Sequence, residues 1–151
     1  MNNILLILLV FVAFYFMLNK NKEEFKTNQK VSLKSQDGLF VSKCLNKHLC
    51  LVSESNKTNF SIFKFADDLL ALESEGYYIS TCFDDECDEP EGKFIKIDSF
   101  NPYAPNAKVK LLPNGTSYYL QLYNGQYVGL DENKHLITVT GRDKAVSLEI
   151  V

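Results

Sequence analysis

The sequence lacks the motifs that carry the common catalytic chemistries. It contains no Gly-x-Ser-x-Gly elbow, no His-Glu-x-x-His pair and no glycine-rich, phosphate-binding loop ahead of a helix. No cysteine–histidine pair has an evident third member that would complete a catalytic triad. We therefore expect a protein that is not an enzyme and that uses no cofactor.

The chain has little of the positive charge that binding to nucleic acids requires. The chain has a formal net charge of −3, and only one of its 16 basic residues, Arg142, is an arginine. Binding to a phosphate backbone requires a basic face with clustered lysine and arginine. The composition therefore argues against a nucleic-acid partner.

The first residues differ in composition from everything that follows. An uncharged apolar run extends from Ile4 to Leu18, and the charged segment NKNKEEFKTNQ comes next. A helix of this run would cover roughly 22 Å of a hydrocarbon core ~30 Å thick, and the following lysines could extend it by snorkelling. The sequence predicts a transmembrane or signal-anchor helix over residues 1–19, which contacts the membrane, and a charged linker over residues 20–30.

Two rival interpretations concern the same run. A cleaved signal peptide would need a basic start and small residues before the cleavage site, and the sequence has neither. A buried core helix is the other interpretation, which is disfavoured because apolar residues occur on every face here, where a surface helix would show an apolar stripe. The membrane orientation stays open, because the lysines after the run favour a cytoplasmic domain and the paired cysteines favour an oxidising compartment.

A threefold repeat organises residues 31–151. Glycines recur at Gly38, Gly76 and Gly125, each directly after Asp, Glu or Asn. An aromatic residue follows two positions later and a β-branched residue after that, as in DGLFV, EGYYI and NGQYV. Glycine accommodates the positive φ of a tight turn, and an aromatic residue beside a β-branched one suits a half-buried strand. Each repeat is therefore predicted to begin with a β-hairpin.

The motif NKHL supports this alignment, because it occurs twice, from Asn46 and from Asn133. Each copy begins eight residues after the glycine of its repeat, so both occupy the same hairpin bend. The segments FSIFKF, VKLL and VSLEIV close the three units as fourth strands. Three units of four strands predict an all-β fold, the β-trefoil, in which hairpins cap a short barrel. A two-sheet sandwich is the alternative.

The strands DGLFVSKC, EGYYISTC and NGQYVGLD resemble the glycine-centred strand of fascin-like β-trefoils, the actin-crosslinking type. NKTNFSIF resembles the fourth strand of that family's repeat, so the similarity covers about residues 30–151. Fascin-like proteins bundle actin with several trefoils in tandem, whereas this chain has one. Ricin-type lectin trefoils carry Gln-x-Trp signatures, and the absence of tryptophan disfavours that lectin subgroup.

Four cysteines occupy related positions in the first two repeats. Cys44 and Cys82 each lie six residues after their glycine, and Cys50 and Cys87 follow across the next turn. Each pair could form a disulfide within its own hairpin; the alternative is four reduced thiols. Four cysteines allow three pairings, so the connectivity is open. The spacings are not those of CxxC pairs, which disfavours a zinc site.

Further candidate binding residues lie in the predicted hairpin tips. His48 and His135 occupy equivalent positions, and two histidines can bind a metal or sense pH, although exposed loop residues are the simpler interpretation. The acidic insertion DDECDEPE begins with Asp84 and Asp85 and lacks the spacing of a calcium loop. A solvated loop, long enough for a partner to dock on, fits it better.

Aromatic residues complete the candidate surface. Tyr103 and Tyr118, with Tyr119 and Tyr123, are candidates for ligand contact, and packing in the barrel is the alternative. The sequence thus predicts a membrane-anchored, non-enzymatic binding or scaffolding module with a protein or glycan partner on its loops. One alternative is a structural virion-membrane or minor capsid protein of a large DNA virus, which the composition typical of an AT-rich genome favours. The other alternative is a carbohydrate-binding module.

Overall fold

The structure, a computed structural model, describes residues 25–81 and 92–151. Its described part contains thirteen β-strands joined by turns and by single turns of 3-10 helix. The strands are β1 Phe25–Val31, β2 Leu33–Ser35, β3 Phe40–Lys43, β4 Leu49–Val52, β5 Phe60–Lys64, β6 Leu69–Ser74, β7 Tyr77–Ser80, β8 Lys96–Ser99, β9 Val109–Asn114, β10 Ser117–Leu122, β11 Tyr127–Leu130, β12 Leu136–Val139 and β13 Ser147–Ile150. The 3-10 turns are Leu45–Lys47, Glu54–Asn56, Pro105–Ala107 and Arg142–Lys144.

A closed circle of antiparallel pairs forms the barrel. β1 and β2 make one strand position, interrupted at Ser32, in which β1 pairs with β5 and β2 pairs with β13. Around the circle, β5 pairs with β6, β6 with β9, β9 with β10 and β10 with β13. Ser32 and Val151 exchange two backbone hydrogen bonds, of 2.7 and 2.9 Å, where the first strand meets the last. This closure rules out the two-sheet sandwich.

Three hairpins, β3–β4, β7–β8 and β11–β12, form the cap of the barrel. The backbone N–H of Leu49 donates to the Ile95 carbonyl at 2.9 Å, and the N–H of Ile95 donates to the Leu136 carbonyl at 2.8 Å. Isolated bridges between the hairpins pair His48 with Lys96, Phe94 with Ile137 and Cys50 with His135. Each hairpin is thus tied to the next around a pseudo-threefold axis, which is the β-trefoil architecture.

The repeated glycines are required by the backbone of their turns. Gly38, Gly76 and Gly125 have φ values of +80°, +85° and +86°, a region that side chains rarely adopt. No atom lies within 4 Å of a Cβ built at any of the three, so packing does not select glycine there. The turn conformation alone explains why the sequence repeats this residue.

The buried core follows the same threefold pattern. The β-branched residues that follow the motif's aromatic positions, Val41, Ile79 and Val128, are all buried. A second set consists of the residues through which the cap hairpins exchange hydrogen bonds, Leu49, Ile95 and Leu136, which are at most 1% exposed. Both sets belong to one core cluster. No single repeat could enclose these side chains, so the three must fold together.

The twelve strands that the repeat predicts are confirmed as β2 to β13. The additional strand β1 begins at Phe25, inside the predicted charged linker of residues 20–30, and its backbone pairs with Lys64 and Phe63 of β5. Residues 25–30 thus form a strand, whose pairing satisfies the backbone groups along the outer edge of β5. The predicted anchor, residues 1–19, lies outside the described residues.

In the part of the chain that the structure describes, no helix is long and apolar enough to cross a bilayer.

Truncating a leucine on the axis should destabilise the whole domain. Leu136 is 1% exposed, whereas Leu45, at the tip of a cap hairpin, is 86% exposed. We expect Leu136→Ala to lower the free energy of unfolding by ~2–5 kcal/mol, because it leaves a cavity where the three repeats meet. Leu45→Ala is the matched control and should change it by less than about 0.5 kcal/mol. Urea denaturation followed by circular dichroism measures both, and equal losses would contradict this core.

Candidate functional site

Three rings meet on the outer side of the cap, at the pseudo-threefold axis. His48 stacks on Phe94, with ring centroids 4.2 Å apart and planes inclined by 16°. His135 meets both rings edge-on, at 5.4 Å from Phe94 and 6.3 Å from His48. Each ring precedes a buried axial residue of the core, so strand alternation turns that residue inward and the ring outward. The two histidines that the sequence predicts are therefore neighbours, and we call the three residues the axial ring cluster.

Phe94 is the member that the sequence reasoning missed. The acidic insertion in the second repeat separates it from Gly76, so counting from the glycine does not place it in the slot of the two histidines. The available signal was its position before Ile95, which matches that of His48 before Leu49. Phe94 is 38% exposed, so the cluster borders solvent.

The two histidines have different electrostatic surroundings. The Nδ1 atom of His135 lies 3.1 Å from Oδ2 of Asp131, and Oδ1 of Asp131 accepts hydrogen bonds from the backbone N–H groups of Asn133 (2.9 Å) and His135 (2.8 Å). Burial opposes ionisation of Asp131, but these hydrogen bonds and the nearby imidazole prevail and lower its pKa. Among the described residues, no carboxylate pairs with His48, and burial, followed by the charges of Lys96 and His135, lowers its pKa.

Metal binding would require more donors than this cluster supplies. Within residues 25–81 and 92–151, no group of three or more histidine, cysteine, aspartate or glutamate side chains could hold a metal ion. One nitrogen of His135 is already engaged by Asp131. The arrangement instead joins a stacked, neutral imidazole to one that is paired with a carboxylate.

A disulfide closes the cap hairpin of the first repeat. Cys44 and Cys50 are bonded, with Cα atoms 6.1 Å apart, which confirms the first of the two predicted pairs. Between them, Asn46 and Lys47 adopt positive φ values of 57° and 61°, and the bridge holds Leu45 at the tip in an exposed position. The remaining candidates of the second hairpin lie outside the described residues: Cys82, Asp84, Asp85 and Cys87.

Two grooves lie between neighbouring repeats, each beside the turn that opens a repeat. The first encloses about 340 Å³ at the turn of the third repeat, and we call it the lysine–tyrosine groove. It is lined by Leu69, Pro105, Lys108, Lys110, Gln121, Leu122, Tyr123 and Gly125. The second encloses about 310 Å³ at the turn of the first repeat and is more polar. Its lining includes Ser35, Gln36, Asp37, Tyr119, Lys144 and Ser147.

The lysine–tyrosine groove combines apolar and polar contacts. Tyr123 is 41% exposed, so one side of the groove is an accessible aromatic ring. The Lys110 ammonium lies 3.5 Å from a carboxylate oxygen of Asp68, and the Gln121 amide donates to the Gly125 carbonyl at 3.3 Å. These contacts orient polar groups around an open surface without filling it.

A partly exposed aromatic cluster adjoins this groove. The ring of Tyr103 lies 5.7 Å from that of Phe63 and 6.0 Å from that of Phe65, edge-on to both. The ammonium of Lys108, which also lines the groove, lies 4.5 Å from the centroid of Phe65. We call these four residues the aromatic–lysine face. Tyr103, a predicted contact residue, is 51% exposed there.

The other two tyrosine candidates lie elsewhere, on the barrel strand β10. Tyr118 is half-buried and packs against the core cluster, which corresponds to the packing alternative. The guanidinium of Arg142 covers the ring of Tyr119, 4.9 Å from its centroid. The structure therefore does not bring the four tyrosines together on one surface.

Comparisons with known proteins found similar structures but no similar sequences. No protein family model and no curated protein matches this chain. The designed threefold-symmetric protein ThreeFoil is 15% identical, with a TM-score of 0.66 over 81% of this chain and 97% of its own. A Polyporus squamosus lectin, solved bound to the human-type influenza-binding epitope Neu5Aca2-6Galb1-4GlcNAc, is 11% identical, with a TM-score of 0.67 over 83% of this chain and 49% of its own. Hisactophilin is 17% identical, with a TM-score of 0.56 over 81% of this chain and 97% of its own.

These likenesses confirm the predicted β-trefoil fold. At such identities they concern the fold alone, and this chain spans only about half of the lectin. The narrower resemblance to fascin-like trefoils therefore stays a prediction.

Stability should fall on mild acidification, because His48 is held neutral in the fold. Its pKa is lowered, so the unfolded chain binds more protons as pH drops through the ordinary histidine value of 6.5. Asp131, with a lowered pKa, loses its contribution only in stronger acid. We expect the thermal midpoint to fall between about pH 7.5 and about pH 5.5.

His48→Phe is the variant that isolates this effect. Phenylalanine already occupies the equivalent slot at Phe94, so the substitution should keep the ring packing and remove the titrating group. The fall of the thermal midpoint with pH should become smaller in the variant, as measured by circular dichroism. An unchanged pH dependence would show that His48 is not responsible.

Proposed function

We propose that this chain is a non-enzymatic binding module, held at a membrane by its N-terminal apolar run, whose ligand or partner binds in the lysine–tyrosine groove. The observation that carries the proposal is this groove itself: an open space of about 340 Å³ with an exposed ring and two amines on its walls. Concave surfaces with an apolar lining and a few placed polar groups are where proteins bind ligands.

The chemistry of the groove favours binding over catalysis. Its described lining residues include no histidine, cysteine, serine or carboxylate that could act as nucleophile or general base. Lys108 supplies positive charge, and Tyr123 and Leu69 supply apolar contact area. Such a surface suits a partner that carries both an acidic group and an apolar face.

A carbohydrate is the ligand class that one specific observation favours. Sugar rings present an apolar face that packs on an aromatic side chain, and their hydroxyls bond to amides and amines. Tyr123, Gln121 and Lys110 offer these groups within one groove. The lectin among the similar structures was solved with a glycan that contains a sialic acid. We propose that acidic glycans bind better than neutral ones, because the ammonium of Lys108 can pair with a carboxylate or sulfate.

The glycan proposal is tested with the full-length chain on an array of neutral and acidic glycans. We expect Tyr123→Ala to weaken binding about tenfold or more, because it removes the aromatic wall. Tyr119→Ala is the matched control, since Tyr119 lines the other groove. Unchanged binding by Tyr123→Ala would show that the glycan does not bind in the lysine–tyrosine groove.

An array without any bound sugar would remove the carbohydrate candidate. A protein partner would then be sought with a photoreactive residue at position 123 and, as control, at position 119. Crosslinks of equal yield at both positions would contradict a role for the lysine–tyrosine groove.

Membrane attachment is tested by alkaline extraction and flotation of the full-length chain expressed in cells. We expect the chain to stay with the membranes, and the double variant Val10→Lys, Phe11→Lys to be released. Each lysine near the centre of a spanning helix costs ~2.5–3.5 kcal/mol of insertion free energy. Release of the unmodified chain by alkali would refute the anchor.

A further inference from the structure

We infer that the aromatic–lysine face lies against the lipid headgroups of the membrane that holds the chain. The inference rests on the proposed membrane attachment and adds which face of the trefoil is turned to the bilayer. Its evidence is the position of β1, the residue types of the face and its charge.

Strand β1 starts beside this face. The backbone of Phe25 pairs with that of Lys64, and the backbone of Lys26 pairs with that of Phe63, a member of the face. Only six residues separate Leu18, the end of the apolar run, from Phe25. Even a fully extended chain covers at most roughly 25 Å over that interval. The face therefore lies close to the point at which the domain is tethered.

The residue types match those of a membrane interface. Tyrosine and lysine are enriched at the headgroup level, where a side chain can keep an apolar body in lipid and a polar end in water. Tyr103 is 51% exposed and rests edge-on against Phe63 and Phe65. This arrangement holds the rings together as one surface, so several of them would enter the interface at once.

The charge of the face favours anionic lipid. Two lysines beside it are already paired, Lys64 with Asp67 at 3.3 Å and Lys110 with Asp68 at 3.5 Å. Lys108 lies over the ring of Phe65. No carboxylate of a described residue lies within 4.0 Å of its ammonium group. Lys108 thus adds a positive charge next to the rings, which attracts an anionic headgroup.

The most exposed of the large hydrophobic side chains in the described residues is Leu45 on the cap, which would compete for contact with lipid. Strand β5 starts near the cap, where the backbone N–H of Thr58 donates to the Val41 carbonyl at 3.3 Å, and runs away from it to Lys64. The start of β1 is therefore at the other end of β5 from the cap. Contact of Leu45 with lipid and contact of Tyr103 with lipid would thus correspond to two different orientations of the domain.

The absence of tryptophan allows a direct test with single-tryptophan variants of the full-length chain. Tyr103→Trp and Leu45→Trp are reconstituted into vesicles of phosphatidylcholine with a quarter phosphatidylserine, with or without brominated acyl chains. Bromine quenches tryptophan emission over short distances. We expect brominated lipid to quench the Tyr103→Trp variant at least about twofold and to leave the Leu45→Trp variant nearly unchanged.

Flotation of the same samples separates the two proposals. If both variants float with the vesicles but Tyr103→Trp is not quenched, the inference is overturned while membrane attachment stands. Quenching of Leu45→Trp in place of Tyr103→Trp also overturns it, because the cap would then face the lipid. If neither variant floats, both the attachment and the inference are refuted.

Charge reversal tests the contribution of the lysine. In the Tyr103→Trp background, Lys108→Glu should reduce the quenching by about half or more on vesicles that contain phosphatidylserine. Lys47→Glu is the matched control, because Lys47 also lies over a ring, 4.8 Å from the centroid of Tyr77, and belongs to the cap. Circular dichroism verifies that both variants are folded. Equal effects of the two substitutions would contradict the role of Lys108.

Discussion

The contact between the three cap hairpins on the pseudo-threefold axis is the constraint on which the rest of the structure depends. Backbone hydrogen bonds connect Leu49 to Ile95 and Ile95 to Leu136, and the three side chains are almost completely buried. A single repeat would leave its share of this layer in water, at a cost that its local hydrogen bonds do not offset. The barrel closes around the same axis, so the barrel and the cap form one cooperative unit.

Because the inward-facing side chains of the strands form this core, a ligand or partner can contact only the outward-facing ones. The axial ring cluster and the two grooves all follow this division. Their chemistry differs between repeats even where the backbone is equivalent: Phe94 stands where the other repeats have histidine, and one groove is rich in lysine while the other is polar. The fold thus repeats its core three times and varies its surface, which explains why trefoil proteins of similar shape can carry different functions.

Much of the fold could be predicted because its determinants are local. Positive φ restricts the turn residue, so Gly38, Gly76 and Gly125 repeat, and the twelve strands follow from their spacing. Less of the candidate site could be predicted from the sequence. Counting residues could not place Phe94 in the ring cluster across the insertion, and the pairing of residues 25–30 with β5, which helps to close the barrel, joins segments that are distant in the chain. The aromatic–lysine face joins residues that are distant in the chain, such as Phe65 and Tyr103.

The sequence by itself determined the threefold repeat, its turns and the identity of its buried residues, because backbone sterics and burial act through nearest neighbours and strand alternation. It also determined that Cys44 and Cys50 share a hairpin. Only the tertiary structure decided that His48 and His135 are neighbours across the axis, that Tyr118 packs against the core and that Tyr103 joins an exposed aromatic surface. Those relations depend on how three separate repeats are oriented around one axis, and no local spacing encodes that orientation.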